Sequence, residues 1–461
     1  MLLKGKKRRN KTEVTEGGEL NVASAGCVSS AVICGVEVIR EDEGRIVITG
    51  HVKGDLIKGD RLRLINPGDD DHSYEEAETG TVSVVDIIDN DGVHVPIAKD
   101  CIVDLVLSDI EGVLRKGSIL AGTGCDAEEI DSYYINTLGE TFVKRQDLIF
   151  TEEDIRNATI TDIAESLRLY NWYMRKTKPT PDEETVKMVA SRQAAAVKLL
   201  LRKVKVADHI YYLKSNVTGE AYVKSIVTQA QDGKIMILPG FMIIGTARQE
   251  MSVMKAFAVA DCDYVRVDND REKTALAEFL YKNCILNGVA AVGVGSPDSL
   301  ISDAFIKEEC SFGNNAAGTK PSQGTNPSLM RWILQLVQMG TPESDEDKRN
   351  AGIFNNCMKN ELKKSTFLVP VRENKEKAPE QKPDPNSVEV ATVMDGDGHL
   401  CVKAYTDYRF LCEDCGDNVK AVVLSLRDIA KVGGIAINPV KDRKLTCIIK
   451  QDKCNEIVNE A

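Results

Sequence analysis

Gly44-Arg45-Ile46-Val47-Ile48-Thr49-Gly50 is a β-branched run held between glycines, and it decides how the first part of this chain folds. Working outward, His51-Val52 leads into Gly54-Asp55 and Leu56-Ile57, and Lys58-Gly59-Asp60 makes a turn. Arg61-Leu62-Arg63-Leu64 alternates polar and apolar at period two, as a half-buried strand does. Val82-Ser83-Val84-Val85-Asp86-Ile87, Ile102-Val103-Asp104-Leu105-Val106-Leu107 and Ile119-Leu120 continue the series. Short strands, Gly-rich turns and no helical period predict a small closed barrel, because closure leaves no unpaired sheet edge.

Helical spacing then takes over. Thr151-Glu152-Glu153-Asp154 and Asp162-Ile163-Ala164-Glu165 both read as capping boxes, in which an acid at the third position satisfies free N–H groups. Ile163, Leu167, Tyr170 and Met174 recur at helical spacing, and Val186 to Leu201 holds a second such pattern. Strands are expected at 209–213, 234–238, 265–267 and 288–292, with a helix at 271–280. The aperiodic Gly/Asn/Ser stretch 309–326 predicts a linker, and Asn326-Pro327 the cap and first residue of a new helix. Glu373 to Ser387 reads as a polar loop.

Residues 162–300 and 326–445 share features in the same order. Leu169-Tyr170-Asn171-Trp172 matches Leu329-Met330-Arg331-Trp332, and these are the two tryptophans of the chain. Thr180-Pro181 matches Thr341-Pro342, Val204–Leu213 matches Leu362–Val371, Asp232-Gly233 matches Asp397-Gly398, and Leu286 to Ala290 matches Val432 to Ala436. Five features kept in order point to a duplicated unit of helix–helix–strand–hairpin–helix–strand.

Two resemblances follow from these residues. Gly44, Thr49-Gly50, Val52, Ile57, Gly59-Asp60 and Leu114-Arg115-Lys116-Gly117-Ser118-Ile119-Leu120-Ala121 resemble domain 2 of translation-factor GTPases. The chain departs from that pattern in the spacing before Gly59 and has no Gly-x-x-x-x-Gly-Lys-Ser/Thr stretch, so the resemblance implies a barrel module and not a GTPase. Leu362-Lys363-Lys364-Ser365-Thr366-Phe367-Leu368-Val369-Pro370-Val371, Tyr405-Thr406-Asp407 and Gly434-Ile435-Ala436-Ile437-Asn438-Pro439 resemble the SseB N-terminal-domain family. The first copy lacks Asn438-Pro439 and has Gly293 to Pro297 there instead. This resemblance implies a fold and carries no reaction with it.

Composition narrows the function classes. Over 461 residues, 59 Lys/Arg stand against 71 Asp/Glu, a net charge of −12 that argues against a protein devoted to nucleic acid. Within residues 31–122 the imbalance is 9 against 19, so an RNA-facing barrel is disfavoured. No apolar run approaches the ~20 residues of a membrane helix, and the basic N-terminus lacks the apolar stretch of a signal peptide. The 13 cysteines are an odd number in apolar contexts, which reads as free thiols in a cytoplasmic protein. Cys412-Glu413-Asp414-Cys415 lacks a second pair with zinc spacing, and its acids disfavour redox use. His51, His72, His94, His209 and His399 form no metal or catalytic pattern. Gly288 to Gly295 is a weak dinucleotide motif, and Asp69-Asp70-Asp71 reads as a solvated loop.

The expectation is a multidomain protein, an N-terminal all-β barrel followed by two α+β, SseB-like domains. The boundaries are a basic flexible tail at 1–29, the barrel at 30–125, a divergent SseB-like domain at 151–302, a linker at 303–326 and a second SseB-like domain at 327–461. The expected role is a non-enzymatic, cytoplasmic, bacterial adaptor that binds a protein partner. The alternative is a translation-associated factor contacting ribosome or tRNA through the barrel. No catalytic, cofactor-binding or metal-ligating residue is assigned, and neither cofactor, nucleotide nor membrane is expected.

Overall fold

The computed structural model describes residues 29–42, 45–66, 70–73, 76–144, 158–176, 183–229, 235–258, 260–310, 325–372, 389–441 and 443–460. The expected tail up to residue 28, the Thr151 capping box, the turn at Asp232-Gly233, the loop 373–387 and most of the linker lie outside these residues. No helix among the described residues is long and apolar enough to cross a membrane.

The N-terminal module is a closed, six-stranded antiparallel barrel. Its strands are β1 (Val32–Asp42), β2 (Arg45–Lys53), β3 (Asp55–Ile57), β4 (Arg61–Ile65), β5 (Glu78–Ile88), β6 (His94–Val95), β7 (Ile97–Lys99), β8 (Ile102–Glu111) and β9 (Ile119–Gly122). The ring runs β4-β9-β1-β2-β8-β5 and returns to β4, with β6 extending β5 and β3 pairing β7 outside it. Alternation sets which side chains face inward: Leu62 and Leu64 of β4 are fully buried beside Ile33, Ile48, Val82 and Leu105.

A helix absent from the sequence expectation follows at once, α1 (Ala127–Lys144). Asp126 and Glu129 exchange side-chain-to-backbone hydrogen bonds at 3.2 and 2.8 Å, a capping box that starts it. Ile130 and Tyr134 pack on Val32, Cys34, Ile119 and Ala121 and fix α1 against the barrel wall.

The first α/β unit contains α2 (Ile160–Lys176), α3 (Glu183–Val206), β10 (His209–Ser215), β11 (Lys224–Gln229) and β12 (Ile235–Gly245). A 3-10 turn at Ala247–Gln249 precedes α4 (Glu250–Ala256), followed by β13 (Cys262–Asp268) and α5 (Ala275–Tyr281). A π-helical turn at Lys282–Leu286 leads to β14 (Ala291–Val294), β15 (Leu300–Ser302) and α6 (Asp303–Glu309). Residues 303–309 were expected to be linker. They form α6 because Ile306 joins the core with Ile301 and Cys284.

The second unit runs α7 (Pro327–Met339), α8 (Asp345–Lys364), β16 (Thr366–Arg372), β17 (Glu389–Val390), β18 (Thr392–Met394) and β19 (Leu400–Ala404). It continues with α9 (Tyr408–Cys415), β20 (Ala421–Ser425), α10 (Leu426–Ala430), β21 (Gly434–Ile437), β22 (Cys447–Ile449) and α11 (Gln451–Asn459).

The two sheets have one wiring. The first is ordered β13-β10-β12-β14-β15, with β11 on β12. In the second, β20 pairs β16, the Leu368–Tyr405 bridge joins β16 to β19, and β21 and β22 follow, with β18 on β19. Tyr211 faces Gly245 as Leu368 faces Tyr405. Phe241 faces Ala291 across a parallel pair, as Cys401 faces Gly434. Trp172 lies on α2 and Trp332 on α7, the first helix of each unit.

One hydrophobic core spans both units, from Ile163 and Leu200 through Met242 and Val292 to Met330, Leu334, Tyr405, Phe410 and Leu445. A buried carboxylate is clamped at the same boundary. Glu220, 5% exposed, accepts from Arg443 Nη1 at 2.7 Å and lies 3.0 Å from Lys282 Nζ. Burial pushes its carboxyl up, but Lys282, Arg443 and Arg409 more than offset this and hold it below the usual range.

Candidate functional site

The most built-up polar site lies where barrel, α1 and first unit meet. It begins with the start of α2, whose free N–H groups need acceptors. Thr159 and Asp162 exchange hydrogen bonds at 3.0 and 3.1 Å, so the capping box is Thr159 to Asp162 and not Asp162 to Glu165. The barrel supplies a second acceptor. Asp70 takes the N–H groups of Ile160 at 2.6 Å and Thr161 at 3.1 Å, and the Thr161 hydroxyl at 2.8 Å. Burial raises the Asp70 carboxyl, while these donors act in the opposite sense. Asp70 is therefore a half-buried docking residue, which corrects its reading as part of a solvated loop. Its carbonyl also accepts the Ala247 N–H at 3.2 Å.

Freed from capping, Glu165 points into a cleft of about 560 Å³ between α1, α2, α4 and the turn Gly295-Ser296-Pro297. Arg168, one turn along α2, donates Nε to Glu165 Oε2 at 2.5 Å. Ser252 of α4 donates to Asp131 of α1 at 2.8 Å, and Lys255 pairs with Glu128 at the same junction. Tyr134 OH donates to Asp162 at 3.2 Å, and Arg248 lies 4.6 Å over the Tyr134 ring. Glu165 is 6% exposed. Burial raises its carboxyl, Arg168 opposes that, and the charges of Asp131 and Asp162 add to the rise. Three carboxylates (Glu128, Asp131, Glu165) and two cations (Arg168, Lys255) line the cleft.

The cleft opens at the carboxyl ends of the parallel pair β12/β14, where ligand crevices form in α/β sheets. Gly295, the residue after β14, has φ +66°, and a Cβ there would collide with the Gln249 side chain. Gln249 Oε1 accepts the Thr246 N–H at 3.1 Å, while its Nε2 is buried with no hydrogen-bond partner among the described residues. Gly293 and Gly295, read in the sequence as a weak dinucleotide motif, are thus a strand residue and a cleft wall.

No protein-family model matches this chain, and no curated protein matches it.

The other residues raised by the sequence lie apart from this cleft. His94 bonds Asp86 at 2.6 Å on the barrel surface, and His209 lies 3.5 Å from Asp71. Asp395, Asp397 and His399 bring their ligand atoms within 4.8 Å of one another. Asp395 there accepts the N–H groups of Asp397 at 2.9 Å and His399 at 2.8 Å, which an Asx-stabilised hairpin turn explains on its own. Cys412 and Cys415 lie on α9, where burial and Asp414 raise the Cys415 thiol. Sequence reasoning missed Glu165, Asp131 and α1. The available signal was Asp126-Ala127-Glu128-Glu129, an acid three residues before a Glu ahead of apolar Ile130.

Proposed function

We propose that this chain is a non-enzymatic adaptor in which a translation-factor-like barrel and two SseB-like units, related by duplication, hold protein partners in fixed relative positions. Support for fixed positions comes from the Asp70 contacts to α2 and from the core shared by the two units. The observation that carries the adaptor role is a shared exposed feature. In both units the hairpin feeding the central strand presents large apolar side chains to solvent: Ile235 and Met236, at 54% and 59%, and Met394 and Leu400, at 62% and 43%. Exposed apolar side chains at matching places are costly in water unless a partner covers them.

The test captures partners from native lysate on the immobilised full chain, then titrates the purified partner against the chain and its Met236→Asp and Met394→Asp variants. The adaptor reading expects binding that persists at high salt and weakens about tenfold in at least one variant. Recovery of RNA that is lost steeply with salt would replace it with the translation-associated reading.

A further inference from the structure

We propose that β20 is a docking edge for an extended segment of a partner protein, a strand with β-branched residues at its centre and an acidic side chain at its end. The register of the sheet shows which groups are open. Leu368 exchanges both backbone hydrogen bonds with Tyr405, at 3.1 and 2.9 Å, so its N–H and carbonyl point away from β20. Its neighbours Phe367 and Val369 therefore turn toward β20, where they face Leu424 and Val422. Val371 follows the same alternation and gives its N–H to the Lys420 carbonyl at 2.9 Å. The N–H and carbonyl groups of Ala421 and Val423 are thus left pointing outward. β20 ends its sheet, and among the described residues no strand lies beyond it. Ala421 is exposed, and so is Val423, at 41%.

The chemistry of the edge selects the occupant. Edge strands that must stay unpaired are guarded by charges, prolines or bulges. β13, which ends the first unit's sheet as β20 ends the second's, is guarded in this way: Asp263, Arg266 and Asp268 make three of its seven residues charged. β20 reads Ala421-Val422-Val423-Leu424-Ser425 and pairs β16 without a register shift. An added strand would satisfy the open groups of Ala421 and Val423 and cover the Val423 side chain. Arg427, just past the strand, is exposed and forms no ion pair among the described residues, which calls for an acid on the incoming segment. A second copy of this chain does not supply one. Antiparallel pairing of two β20 strands about Val423 directs each Arg427 toward Val419 and Lys420 of the other copy, where there is no anion.

The test titrates the full chain, by calorimetry, with the capped peptide acetyl-Glu-Thr-Val-Thr-Val-Thr-Glu-amide, whose two acids serve either strand direction. It is expected to bind at about 1 mM or tighter, and to slow amide exchange at Ala421 and Val423 while leaving Val422 and Leu424 unchanged. The same peptide N-methylated at its three central residues keeps the charge but cannot pair, and should bind at least about tenfold more weakly. Val423→Pro removes one outward N–H and no ladder bond, and should weaken the parent peptide to the same extent. Arg427→Glu, on an exposed side chain that does not threaten folding, should weaken it about threefold and favour a peptide with Lys at both ends. Equal binding of the N-methylated peptide overturns the proposal, as does binding that leaves exchange at Ala421 and Val423 unchanged. A concentration-dependent dimer that slows those two amides without peptide also overturns it, by making a second copy the occupant. The adaptor reading stands or falls separately, because Met236 and Met394 lie on other strands.

Discussion

Asn438 Oδ1 accepts the Thr406 N–H at 2.9 Å, from a side chain whose own backbone sits at φ +49°. The first unit makes the same bond differently. Thr246, at the equivalent strand end, gives its N–H to Gln249, whose side chain lies over Gly295 where Asn438 would be. One strand-end amide is satisfied in both units, once by the residue after the neighbouring strand and once by a residue after its own.

Gly295→Ala should therefore destabilise the first unit by about 1–3 kcal/mol, from a Cβ at positive φ and a collision with Gln249. Gln249→Ala in the same chain should recover part of that loss, so the pair is non-additive in urea unfolding. Additive effects would mean the two side chains do not meet.

Asn438→Ala should cost about 2 kcal/mol, since it leaves the buried Thr406 N–H without its acceptor and places Ala at positive φ. Asn438→Gly relieves the backbone and should cost less. The urea midpoints of the two variants give the comparison.

Glu220 sets an acid limit on the joint between the units. Its folded pKa lies below the unfolded one, so its stabilisation is present above the unfolded value, about 4.3, and is lost as pH falls through the folded value. Glu220→Gln should cost about 2–3 kcal/mol at pH 7, a figure reduced because Lys282 and Arg443 are partly exposed. The difference between the variant and the parent should shrink toward pH 3, as followed by urea unfolding at each pH.

Asp70 behaves with the opposite sign. Its carboxyl is raised, so its contribution is greatest below the unfolded value, about 3.9, and declines as pH rises through the folded value. Asp70→Asn retains an acceptor for Ile160 and Thr161 and should be nearly neutral at pH 7. Asp70→Ala should cost about 1 kcal/mol and speed amide exchange at Ile160 and Thr161. Unchanged exchange in the Ala variant would show that Asp70 does not cap α2.

The barrel was legible because its evidence is local. Leu62 and Leu64 alternate with Arg61 and Arg63, and a strand's two-residue period turns that alternation directly into an inside and an outside. The order of elements in the two units was legible for the same reason, as were the turn at Asp397-Gly398 and the helix start at Asn326-Pro327. Element ends were less so. The strand expected at 288–292 runs from Ala291 to Val294, because Gly288 is held at positive φ against α7.

What the amino-acid sequence alone determined, then, was the kind and order of local structure, since periodicity, glycine placement and capping residues act within a few residues. The tertiary structure alone decided the site. The Asp162-to-Glu165 spacing is the same whether Glu165 caps a helix or lines a cleft, and Asp70 looks solvated until α2 arrives above it. Glu165, Asp131, Ser252 and Gly295 come from four separate segments. They meet because Ile130 and Tyr134 hold α1 on the barrel while Ile163 and Leu167 seat α2 in the core of the first unit. Burial and the nearness of like charges, which give those carboxylates their chemistry, exist only once that packing is complete.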